Sequence, residues 1–104
     1  MLIVDDPMDL YDRAMTDLGE GRFAESLQNF RLIMQRPPAV DSFYRPLQRS
    51  FAPAGWVMLA GRYPPADAEL KALLKERIAE LASTPNDKEF ADDVANLQAH
   101  VDRL

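Results

Sequence analysis

Residues 51–65 read FAPAGWVMLAGRYPP, and the reading of this stretch decides the fold. It holds the only Trp, two of the four Gly and three of the eight Pro. The run from Ser50 to Gly61 is the longest without a charged residue. Such a stretch belongs in a core. It reads as a buried joint, residues 41–63, between two helical hairpins. Within it, Asp41 is an N-cap, and Phe43, Tyr44, Leu47 and Phe51 have helical spacing. Pro46 is awkward inside that helix, and Pro53 is expected to end it. Gly55 to Gly61 then forms a second helix of about two turns.

Before the joint, residues 7–36 read as an αα-hairpin. Asp6-Pro7 is an N-cap and first helical position. Met8, Tyr11, Met15 and Leu18 recur three and four apart, with Ala14 beside them. Gly19-Glu20-Gly21 makes the turn. Phe23, Leu27, Phe30 and Met34 then form a second stripe, flanked by Ser26 and Ile33, and Pro37-Pro38 stops it. Small Ala14 and Ser26 let the two helices approach closely.

After the joint, residues 65–104 read as another hairpin. Leu70, Leu73, Leu74, Ile78 and Leu81 mark the apolar side of its first helix. Thr84 is an N-cap with Pro85 at the first position of the second helix. Phe90, Val94, Leu97, Val101 and Leu104 follow at four, three, four and three. That narrow stripe suits one neighbouring helix, or a homodimer seam through Phe90, Val94, Leu97 and Val101. No segment alternates polar and apolar residues for long enough to be a strand. The expectation is one all-α domain, residues 1–104, of about five helices.

The hairpin over 7–38 resembles a tetratricopeptide repeat. Gly21-Arg22-Phe23 matches the turn, Ser26 the small position, Phe30 the aromatic, Pro38 the closing Pro and Ala14 the small residue of the first helix. Arg13 and Asp17 depart from it, standing where apolar or aromatic residues are usual. A longer resemblance is carried by Ser50, Phe51, Ala52, Trp56, Leu59, Tyr63, Pro64, Pro65 and Ala66. Asp93-Val94-Ala95 follows after Phe90. These match a group of bacterial tetratricopeptide-like helical proteins. The resemblance implies a helical fold and a bacterial origin, and it implies no activity.

Composition narrows function further. The chain has 104 residues, no Cys, and a formal net charge of -5. Without Cys there is no disulfide, thiolate metal site or thiol chemistry. An acidic surface disfavours nucleic acid. No run approaches the roughly 20 apolar residues of a membrane span. A cytoplasmic protein is the expectation.

Charge is unevenly placed. Residues 21–63 carry six Arg and two acids, between flanks rich in Asp and Glu. This basic middle either packs against the acidic flanks or forms a face for an acidic peptide.

Chemistry is sparse. The lone His100 falls off the stripe of its helix. Asp5, Asp6, Asp9 and Asp12 lack the spacing of a calcium loop and suit a helix N-terminus. No glycine-rich phosphate loop is present. No cofactor is expected and no metal ligand is assigned. The residues therefore point to a non-enzymatic protein-interaction module. Its candidate contact residues are Phe43, Arg45, Arg49, Trp56, Arg62 and Tyr63. The alternatives are a small-ligand pocket around Trp56 and the homodimer seam.

Overall fold

The computed structural model describes residues 7–35 and 46–104. Five α-helices lie among them: α1 (Pro7–Glu20), α2 (Phe23–Gln35), α3 (Ala52–Ala60), α4 (Pro64–Ser83) and α5 (Lys88–Val101). A π turn, Leu47–Phe51, runs directly into α3. No strand occurs among the described residues. The fold is all-α, as the periodicities predict.

The first hairpin forms because each helix has one apolar side and the turn contains a glycine. Gly21 sits at a φ of 82°, a left-handed conformation open to Gly at little cost. Leu10, Ala14 and Leu18 of α1 are buried, as are Leu27, Phe30, Ile33 and Met34 of α2. Ser26 and Ala14 are fully buried at the crossing, and the Ser26 hydroxyl donates to the Ala14 carbonyl at 2.7 Å. The stripe of α1 is rotated from the expected one: Leu10 is core, whereas Met8 is exposed.

The joint differs from its expected form. Pro53 does not end a helix; it lies in the first turn of α3. The Ala52 amide bonds to the Leu47 carbonyl, five residues back, which opens the turn by one residue. A widened turn accommodates a proline, whose ring would clash with the carbonyl four back in a regular α-turn. The expected cap Asp41 and Tyr44 fall outside the described residues, as does Asp6.

Pro64 and Pro65 open α4, where their missing amides cost no hydrogen bond. Ala66, Leu70 and Leu74 of α4 are buried, while Ile78 of the expected stripe is exposed. The start of α5 is also corrected. Its N-cap is Asp87, not Thr84: the Asp87 carboxylate accepts from the Phe90 amide at 3.0 Å. Asp87→Ala is therefore expected to lower stability by about 1 kcal/mol, and Thr84→Ala by much less. Urea denaturation of the two variants checks this.

The helices pack in two layers. Helix α2 packs on α1 and α3, and α4 packs on α3 and α5. Helix α1 also meets α3, in parallel: Tyr11 contacts Phe51 and Met15 lies against Gly55. Two layers of helices, each about 10 Å across, account for a slab 42 × 37 × 18 Å. One continuous core joins them, with Phe30, Trp56, Leu59 and Leu70 at its centre.

Candidate functional site

Of the residues expected to form a contact surface, the described ones, Arg49, Trp56, Arg62 and Tyr63, do not come together as one. Trp56 is only 2% exposed. Its indole N–H donates to the Ala66 carbonyl at 2.9 Å, and its ring stacks on Phe30 at 6.5 Å. It is a core residue, placed there by α3 passing between α2 and α4. Tyr63 is half-buried against the Phe23 ring, at 5.9 Å. Phe43 and Arg45 lie outside the described residues.

The arginines of the middle segment bind acids of this same chain. Arg49 Nε meets Asp93 at 2.5 Å, tying the π turn to α5. Arg31 Nη2 reaches both carboxylate oxygens of Glu69, at 2.6 and 2.5 Å, tying α2 to α4. Arg22 pairs with Asp17 at 2.8 Å and with Glu20. These two acids, Asp17 first, hold the Arg22 guanidinium above its ordinary pKa range. Arg77 also donates to the Met34 carbonyl at 2.7 Å, closing the last turn of α2. Of the expected Arg contacts, only Arg62 is exposed without a side-chain partner among the described residues.

A groove of about 150 Å³ lies beside Trp56, lined in part by Arg31, Met34, Glu69, Leu73 and Glu76. Its indole and its ion pair already have partners. The indole N–H points to Ala66, and Glu69 engages Arg31. A small ligand could not use the indole N–H or Glu69 without displacing the partner that each already has.

Acid–base and metal chemistry gain little support. His100 is half-buried, its Nδ1 at 2.9 Å from the Asn96 carbonyl in the preceding turn. Among the described residues no three His, Asp or Glu side chains gather as a metal site. No described helix is long and apolar enough to cross a membrane.

The structure instead brings out two residues that spacing alone did not single out. Phe51 is 52% exposed and Met58 is 58% exposed. They stand seven residues apart, on the side of the π turn and α3 opposite Trp56, with Ala54 between them. The signal was present as the 51, 54, 58, 62 spacing. An all-apolar run hides it, because no polar stripe marks which side faces water. The seam expected on α5 is largely occupied: Val94 and Leu97 are buried within the chain, and Phe90 and Val101 are half-buried. Neither family models, nor curated proteins, nor solved structures gave a match to this chain.

Proposed function

We propose that the chain is a non-enzymatic protein-interaction module whose contact surface is the outer side of the π turn and α3. Phe51, Ala54, Met58 and Arg62 form it. One observation carries the reading: the π turn and α3 bury Ala52, Trp56 and Leu59 yet leave Phe51 and Met58 more than half exposed in one row. Isolated exposed apolar residues are ordinary, but a row on one helix side is a surface for another chain. Methionine adds adaptability, since its thioether fits irregular partners.

The same proposal takes the hairpins as tetratricopeptide-like and the protein as cytoplasmic. It gives up the acidic peptide as preferred partner. Arg22, Arg31 and Arg49 already hold carboxylates, so among the described arginines of the middle segment only Arg62 is left for one.

Capture of partners from native cells by wild type and by Met58→Glu tests the reading. A carboxylate at an apolar contact is expected to weaken capture by about 30-fold or more. The thermal midpoint should stay nearly unchanged, because Met58 is exposed. Equal capture by both proteins removes this side as the contact surface.

A further inference from the structure

Two unpartnered charges of opposite sign frame the apolar row. Arg62 continues it, four residues beyond Met58. Asp12 lies on α1 next to Tyr11, whose ring contacts Phe51 at 5.9 Å. Both charged residues are exposed, and neither side chain has a partner among the described residues. Because α1 and α3 run parallel, Asp12 sits at the Phe51 end of the row and Arg62 at the other. The separation along the axis is about 15 Å, too far for the two to pair within one chain.

The geometry points to a second copy of this chain as the occupant, with α3 lying antiparallel on its counterpart about a two-fold axis near Ala54. This rests on the reading of the row as a contact surface. A two-fold contact must be self-complementary, residue i meeting j and j meeting i. Phe51 and Met58 lie on either side of Ala54, about 10 Å apart along the axis. Turning one copy over sets each Phe51 ring against the other copy's Met58 thioether, a favourable sulfur–aromatic contact. Ala54, half-buried and small, lies at the crossing and lets the helices approach.

The charges select the same arrangement. Antiparallel pairing carries Arg62 of each copy to the Asp12 end of the other, about 8 Å beyond it along the axis, within the range of attraction through solvent rather than in direct contact. Parallel pairing would set Arg62 against Arg62 and Phe51 against Phe51. Two chains of net charge -5 repel over most of their surface. They meet without repulsion on the Ser50–Gly61 run, which carries no charge. The broad side of the slab, 42 × 37 Å, is larger than the roughly 800 Å² that each partner of a standard interface covers.

Sedimentation equilibrium of the full chain tests this, using wild type, Arg62→Asp, Asp12→Arg and the double variant. A wild-type dimer is expected. Each single reversal should weaken it by about 10-fold, and the double variant should return to near the wild-type constant. Restoration cannot come from pairing within one chain, given the separation of the two sites. Circular dichroism confirms that these surface variants stay folded. A wild-type monomer up to about 1 mM overturns the proposal. So does a dimer indifferent to the charge reversals. If the chain is monomeric but Met58→Glu still loses captured protein, the second copy is wrong and the contact surface stands. If neither effect appears, both readings fall.

Discussion

Trp56→Ala is expected to destabilise the protein by about 3–5 kcal/mol, the largest effect of any single change considered. Three losses coincide. The indole is 2% exposed, so its transfer free energy is lost almost entirely and a cavity is left. Its 2.9 Å hydrogen bond to the Ala66 carbonyl disappears, and that bond fixes the start of α4. Phe30 loses the ring stacked on it, at 6.5 Å and an interplanar angle of 19°. Against a total stability of about 5–15 kcal/mol, such a change removes much of the margin. The thermal midpoint should fall by roughly 15 °C or more.

Circular dichroism is the suitable probe, because the variant lacks the only Trp. Trp56→Phe keeps a ring but not the donor, so it should fall between wild type and Trp56→Ala. A loss below about 1 kcal/mol for Trp56→Ala would contradict this placement of the indole.

Gly55→Ala is expected to destabilise by about 1–3 kcal/mol, against the usual sign. In a helix interior Ala normally gains up to about 1 kcal/mol over Gly, through propensity and reduced freedom of the unfolded chain. Here the added Cβ would stand 2.7 Å from two ring carbons of Phe30 and 3.0 Å from the Met15 sulfur. Met15 is flexible and can move. Phe30 is fully buried and stacked on Trp56, so its ring has no free space to enter. Overpacking therefore outweighs propensity. Urea denaturation followed by Trp fluorescence reads the sign directly, and a stabilised variant would mean that the core yields there. Gly19→Ala is the control: a Cβ there meets nothing within 4 Å.

The two variants mark where local reading stopped. Phe23, Leu27, Phe30 and Met34 identify α2 and its buried side, because a polar stripe opposes an apolar one. The same holds for Val94 and Leu97 of α5. Around Trp56 this contrast vanishes. The run from Ser50 to Gly61 is nearly all apolar, so period gives existence without orientation, and Phe51 and Met58 could not be separated from Trp56 and Leu59. Pro53 misled for a related reason. Its usual meaning is a helix end, and the π turn that accommodates it depends on how Leu47 is drawn into the core. Ile78 fits the α4 stripe, yet its side chain is exposed.

The candidate contact residues divide in the same way. Trp56 and Tyr63 are aromatics in an apolar joint, and their packing against Phe30 and Phe23 takes them inward. Arg49 stands out in the sequence by its charge, and Asp93, 44 positions along the chain, neutralises it.

By itself the sequence determined the helices, the hairpin order, the apolar joint and the absence of thiol chemistry. These follow from local terms: side-chain period, proline and glycine stereochemistry, and residue chemistry. Only the tertiary structure decided which side of the joint faces water and which arginines are neutralised within the chain. Those depend on neighbours distant in sequence, as the pairs Arg31–Glu69, Arg49–Asp93 and Trp56–Phe30 show. Burial and ion pairing are set by the sum of such contacts, and no local pattern encodes that sum.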